Sequence, residues 1–528
     1  MSMDDSPEEI VALRRSAENL GLAFLDEISD EVLDPGLLAG IPVEWARTNG
    51  LLPIRLNGEL CLLTSEPAEI GRHADVALLV GAELRLVVAP RAAILEGIER
   101  CYFSRRDSTE DFLRDLDRGK GEAARGVEPR SDDLLKSAEE APVTQLVNLI
   151  LLEAVKARAS DIHVEPFEAR LRVRYRVDGV LYEQASPPKH LARALVSRMK
   201  VMARLDIAER RLPQDGSARV RVGEREIDIR VSTIPVAEGE RVVLRLLNRE
   251  SSVLPLAALG MPDSLRQSFE ALLHEANGLM IVCGPTGSGK TTTLYSAIRQ
   301  LDTRGRNVLT IEDPIEYQLP DIGQMQVKPK IGLTFAGGLR HILRQDPDVI
   351  LVGETRDSET AEIAVRASLT GHLVFTTLHT NDAPSALIRM MDMGVASYLL
   401  ASALRGVLGQ RLVRQLCPLC RRPAKVSERE MVLLGTAGRC LADATVYEPV
   451  GCAACLAGYR GRIGIFELLV VDDAAQEVIR TGAGSVQRMR ALPGGSFRRT
   501  MLEDGLDKVA EGKTSLAEIL YALGISGA

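Results

Sequence analysis

The chain has 528 residues, 45% apolar and 26% charged, with 73 acidic against 65 basic side chains and a net charge of −8. Those proportions exclude disorder over most of the length, and at about 150 residues per domain the length points to three or four domains. The negative balance argues against bulk attraction to nucleic acid, and aromatics at 4%, with Trp45 the one tryptophan, are too few for a base-stacking platform.

The opening MSMDDSPEE is acidic and lacks the basic start of a secretory signal. The apolar run 146–155 is broken by Asn148 and Glu153, far short of the roughly 20 apolar residues a membrane span needs. A cytoplasmic location is expected. In that reducing compartment the eight cysteines point to metal ligands or free thiols. Residues 1–103 suggest a small α/β domain, with helices over 7–22 and 91–101 and strands over 51–55, 59–64 and 84–88. It carries no catalytic constellation. In the segment 104–140, 19 of 37 residues are charged and Gly119, Gly121, Gly126 and Pro129 interrupt any periodicity. Such a segment buries too little to order itself, so it is expected to be a flexible linker, with at most a short helix over 109–116.

A second α/β domain is expected over 141–249. A helix over 143–157 leads into SDIHVE at 160–165. Over 170–177, Arg170, Arg172, Arg174 and Arg176 alternate with Leu171, Val173, Tyr175 and Val177. Period-two alternation predicts a half-buried strand with four arginines on one face. Strands over 226–231 and 241–247 extend the sheet. The basic face is either solvated or meets phosphate.

The third domain, 250–528, carries the strongest signal. Gly284-Pro285-Thr286-Gly287-Ser288-Gly289-Lys290-Thr291 fits G-x-x-x-x-G-K-[ST], followed by Thr292. An apolar strand over 279–283 precedes it and a helix over 291–301 follows. In that setting backbone N–H groups cradle phosphate oxygens and the helix points its positive end at them. Lys290 can reach the β- and γ-phosphates, and the Thr291 hydroxyl can ligate Mg²⁺. Three further strands are expected to end in polar groups. Residues 307–311 run into Glu312 and Glu316, 349–352 into Gly353 and Glu354, and 373–377 into His379. Gly353 occupies the usual aspartate position of a Walker B strand, which leaves Glu354 as the main carboxylate. Downstream, Cys417-x-x-Cys420 and Cys452-x-x-Cys455 form two pairs separated by 31 residues (module 414–460). Two such pairs suit a closed tetrahedral Zn²⁺ site, with a redox pair as the alternative. Cys61, Cys101, Cys283 and Cys440 lack such spacing.

Together these motifs resemble one family, the ATPases of bacterial type II secretion and type IV pilus systems. The resemblance rests on GPTGSGKT, TIEDPIEY (310–317), RQDPDVILVGETRD (344–357), GHLVFTTLHTNDA (371–383), ASDIHVEP (159–166) and RLDIAERRLPQDG (204–216), and it covers roughly 130–528. LKSAEEAPVTQLVNLILLEA, GYRGRIGIFELL and the cysteine pairs are most similar to its type II secretion branch. The resemblance implies a RecA-like ATPase domain preceded by a PAS-like one, joined by a linker near 249–256, with ATP between them. It implies a homo-hexamer, ATP, Mg²⁺ and Zn²⁺ as cofactors, and catalytic roles for Glu354, Glu312, Lys290, Arg230, Arg245 and His379. Arg340, Arg356 and His372 also match family positions. It further implies recruitment to the inner membrane through the L component, bound by residues 1–103, and a platform protein. The implied function is ATP hydrolysis that drives pseudopilus assembly for type II secretion. The alternatives are a pilus-extension ATPase, a nucleic-acid motor on the same core, and a nucleotide-gated scaffold.

Overall fold

The computed structural model describes residues 7–38, 41, 43–105, 109, 113, 142–222, 225–248, 254–442, 444–481, 490, 497 and 499–525. The expected linker 104–140 and helix 109–116 fall almost wholly outside these residues. The chain divides into two compact units, Met1–Glu250 and Ser251–Ala528.

The first unit holds two sheets. Strands β1 (Ala23–Phe24), β2 (Leu51–Leu56), β3 (Glu59–Thr64) and β4 (Arg85–Val88) form the smaller one, in the order β1-β4-β3-β2. The helix expected over 7–22 spans Pro7–Asn19, and the chain turns just beyond at Gly21, whose φ of +66° favours glycine. The larger sheet contains β5 (Asp161–Pro166), β6 (Leu171–Val177), β7 (Val180–Ala185), β8 (Gln214–Val222), β9 (Arg225–Val236) and β10 (Gly239–Asn248). Its order is β7-β6-β5-β10-β9-β8, and every adjacent pair is antiparallel. Leu171, Val173, Tyr175 and Val177 of β6 pack in one core with Leu146, Val147 and Ile150 of the helix Pro142–Lys156. The arginines between them therefore face the opposite way.

On that opposite face the arginines meet acidic side chains. Register sets Glu165 beside Arg172, His163 beside Arg174 and Asp161 beside Arg176. The buried Glu165 carboxylate takes hydrogen bonds from Arg172 (3.0 Å) and Arg174 (2.7 Å) and an ion pair from Arg241 (2.8 Å). Those guanidinium groups hold it below the usual carboxylate range against the opposing push of burial. Arg170 lies before the strand and pairs with Glu183 at 3.1 Å.

The second unit is built on a seven-stranded sheet. Its strands are β11 (Gly278–Cys283), β12 (Val308–Glu312), β13 (Gly323–Gln326), β14 (Val349–Val352), β15 (Leu373–Leu378), β16 (Leu404–Leu416) and β19 (Tyr459–Val470). The order is β13-β12-β14-β15-β11-β16-β19, parallel except for the last pair. The central strands are unbroken apolar runs because both faces are covered. Leu279, Ile281 and Cys283 enter one core, while Met280 and Val282 enter the other. A small ribbon, β17 (Arg422–Ala424) with β18 (Val446–Glu448), lies between β16 and β19 in sequence.

Candidate active site

Parallel strands bring their carboxyl ends to one edge, and in open α/β sheets that edge is where ligands bind. Here β11 delivers the glycine-rich loop, β12 delivers Glu312, β14 delivers Gly353 and Glu354, and β15 delivers His379. His372 precedes β15 and so sits at the opposite end, about 20 Å away for a six-residue strand. Its Nδ1 lies 2.9 Å from the Ala367 carbonyl. The histidine box is thus split, and only His379 joins the site.

The loop needs its glycines. Gly287 and Gly289 have φ of +78° and +88°. A Cβ on Gly284 would lie 2.3 Å from the Gln410 carbonyl. Pro285, Thr286 and Gly287 are exposed at the mouth, while Ser288 and Lys290 are buried. The Lys290 ammonium donates to the carbonyls of Gly284 (2.9 Å) and Pro285 (3.0 Å). Burial lowers its pKa, and the nearby Cys283 and Glu354 oppose that shift. A buried ammonium held, among the described residues, by two neutral carbonyls is poised for a stronger anionic partner. Among the described residues the buried Ser288 hydroxyl has no hydrogen-bond partner, an orphan that phosphate oxygen suits. Thr291 and Thr292 open the helix Lys290–Ile298.

Gly353 explains its own identity. A Cβ there would lie 3.2 Å from both the Glu312 Cα and the Ile311 carbonyl, so an aspartate would crowd the end of β12. Glycine lets β14 and β12 end side by side, with Glu312 at the end of one and Glu354 just beyond the end of the other. Glu354 is 9% exposed, ion-paired with Arg356 and 3.4 Å from His379 Nε2. Glu312 is more fully engaged. It accepts from the Tyr295 hydroxyl, from Thr310 Oγ1 (2.6 Å) and from Gln324 Nε2 (3.1 Å). Burial, then the adjacent Glu312, pushes the Tyr295 hydroxyl well above its ordinary range.

Arg230 and Arg245 face each other across β9 and β10 in the first unit. Arg245 Nε donates to Asp161 at 2.9 Å, and its side chain stays 60% exposed. Arg340 pairs with Glu359 at 2.6 Å.

Some of these contacts carried no sequence signal. Gln410 of β16 is buried beside the loop, with Nε2 donating to the Ser288 carbonyl and Oε1 accepting from Thr293, each at 2.7 Å. Glu467 of β19 is buried and accepts from the N–H of Ala383 at 2.7 Å, at the start of the helix Ala383–Asp392 that follows His379.

The four cysteines converge. Their sulfurs lie within 4.8 Å of one another, with Cys417–Cys452 at 3.9 Å, Cys420–Cys455 at 3.7 Å and Cys452–Cys455 at 3.6 Å. A tetrahedron with Zn–S bonds of about 2.3 Å has S···S edges of about 3.8 Å. Backbone N–H groups of Gly451 and Cys452 reach Cys420 and Cys455 sulfurs at 3.3 Å, as thiolates favour. The donor set fits one Zn²⁺ better than a redox pair, which would leave two thiols over. Among the other cysteines Cys61, Cys101 and Cys283 are buried and Cys440 is exposed.

A family model described as Type II/IV secretion system protein matches residues 136–521. The chain belongs to that family. A second model, the MshEN domain, matches residues 20–108, which gives the N-terminal region a family that its residues alone did not reveal. This secretion ATPase is 54% identical to the Type II secretion system protein E of Dickeya dadantii, over 74% of this chain and 78% of that one. It is 47% identical to the Pseudomonas aeruginosa protein of the same name, over 91% and 95%. It is 42% identical to the Type IV pilus assembly ATPase PilB of Myxococcus xanthus, over 93% and 88%. The solved Legionella pneumophila ATPase DotB shares the fold, with a TM-score of 0.53 at 21% identity over 76% of this chain and 98% of that one. The type II resemblance and the RecA-like α/β fold are therefore borne out, and the protein is an ATP-hydrolysing enzyme. Among the described residues no helix is long and apolar enough to cross a membrane.

Proposed function

We propose that this secretion ATPase binds ATP at the 284–292 loop and works as a hexamer that drives pseudopilus assembly for type II secretion. The observation that carries the proposal is the gathering of Lys290, Glu354 and His379 at the carboxyl ends of β11, β14 and β15. On binding, Lys290 leaves the Gly284 and Pro285 carbonyls for the β- and γ-phosphates, and the Ser288 hydroxyl gains its missing partner. The N–H groups of the loop and of the helix start hold the remaining phosphate oxygens. Glu354 orients and deprotonates the attacking water, with His379 and Arg356 setting the position of its carboxylate. Arg230 and Arg245 offset charge that develops on the γ-phosphate. Glu312, engaged by three donors, anchors the strand end beside Glu354.

The oxygen donors Thr291 and Glu354 match the ligand chemistry of a hard Mg²⁺, which would neutralise phosphate charge. Cys417, Cys420, Cys452 and Cys455 would hold a structural Zn²⁺. Residues 1–103 dock on the L component at the inner membrane, and a platform protein is the second membrane partner. The likeness to a pilus assembly ATPase supports a second reading, pilus extension with the same chemistry. Complementation of strains lacking one or the other ATPase separates the two.

The chemistry is tested with Glu354→Gln, which keeps size and loses the basic oxygen. It should bind ATP with near-normal affinity and hydrolyse it about 10²- to 10³-fold more slowly. Unchanged turnover would remove Glu354 from the mechanism.

A further inference from the structure

Gln410 lies about 120 residues beyond the phosphate loop and belongs to none of the motifs above. Register places it beside the loop all the same. Cys283, the last residue of β11, pairs with Gly409 of β16, so Gln410 stands next to Gly284. It is 2% exposed, and both ends of the loop pack against it. A Cβ on Gly284 would meet the Gln410 carbonyl, and a Cβ on Gly289 would meet Gln410 Nε2 at 2.8 Å.

The orientation of the side-chain amide is forced. The Ser288 carbonyl can only accept, so the amide face toward it must be the NH₂ group. That leaves Oε1 for the Thr293 hydroxyl, on the first turn of the helix after the loop. A trans peptide points its C=O and N–H in opposite directions. Anchoring the Ser288 carbonyl on Gln410 therefore turns the N–H of Gly289 away from Gln410, to the side of the loop left open to a ligand. Gly289 can adopt the required positive φ, but glycine alone does not select it.

We propose that Gln410 is a positioning residue for nucleotide binding: it fixes the Ser288–Gly289 peptide so that the Gly289 N–H faces the phosphates, and Thr293 fixes Gln410. This rests on the loop being the phosphate site. Gln410→Glu places a carboxylate oxygen against the Ser288 carbonyl and repels it, while Gln410→Met removes both hydrogen bonds at similar volume. Thr293→Val removes the hydroxyl that orients the amide, and Thr293→Ser keeps it.

The experiment measures affinity of the full chain for Mg-ATP, competition by pyrophosphate, steady-state kinetics, and the melting temperature without nucleotide. Gln410→Glu should raise the Mg-ATP Kd and the KM at least tenfold and abolish pyrophosphate competition. Gln410→Met should share the effect, and kcat at saturation should fall much less. Thr293→Val should raise Kd about three- to tenfold, and Thr293→Ser should restore it. A Kd within twofold of the parent in both Gln410 variants overturns the proposal. So does a lowered melting temperature with pyrophosphate competition intact, since that marks a packing role only. Lys290→Ala separates the two layers: normal Mg-ATP affinity in that variant overturns the assignment of the loop itself, and the proposal with it.

Discussion

Buried carboxylates are costly unless donors surround them, and Glu312 has Tyr295, Thr310 and Gln324. Tyr295 lies on the helix that starts at Lys290, so its bond to Glu312 ties the phosphate-loop helix to the end of β12. Tyr295→Phe should therefore destabilise the second unit by about 1–3 kcal/mol, the cost of leaving a buried acceptor one donor short. Thermal unfolding of the variant measures this. An unshifted melting temperature would mean that the carboxylate is not held in this way. Lys290 was legible because the spacing of a single short segment encodes the whole loop. Gln410 and Tyr295 were not, because their roles depend on which strand lies next to which. Glu165 shows the same limit. Its box was recognisable, but its three arginine partners come from β6 and β10 and emerge only from the register.

At the scale of elements, the apolar runs β11, β14 and β15 were legible because both of their faces are covered, and such runs read alike in any parallel sheet. The long pair β16 and β19 was not. Gly406, Gly409 and Gly464 and the buried polar Gln410 and Glu467 interrupt its pattern, and each interruption has a local cause. A Cβ on Gly406 would meet Leu272 at 2.8 Å, and one on Gly464 would meet Phe466 at 2.4 Å. This pair carries the cysteines: Cys417 follows the last residue of β16, and Cys455 comes four residues before β19. Arg414, stacked 4.0 Å over Tyr459, braces the pair at that end. Because metal ligation and local folding are coupled, losing one thiolate should loosen the module rather than stop chemistry directly. Cys452→Ser should reduce bound zinc well below one per chain by elemental analysis. It should also open the 417–460 segment to limited proteolysis. Full zinc content with unchanged protection would show that Cys452 is not a ligand.

At the scale of the whole molecule, the net charge of −8 excluded a nucleic-acid-coating surface but concealed how the positive charges are used. Arg172, Arg174 and Arg241 are committed to Glu165, whereas the Arg245 side chain is 60% exposed with Nε on Asp161. Lys290, Glu354 and His379 belong to the second unit, and Arg230 and Arg245 to the first. If the active form is a hexamer, catalysis per chain depends on assembly, and assembly depends on concentration. ATPase rate per chain should therefore rise steeply with protein concentration and then level off. Arg245→Ala should lower the plateau by about 10- to 100-fold, as expected for a lost charge contact in the transition state, while leaving the concentration at half-maximum in place. Analytical ultracentrifugation over the same range reports assembly independently. A rate per chain that stays flat across the range, in a protein that sediments as a monomer, would remove both the hexamer and the role given to Arg245.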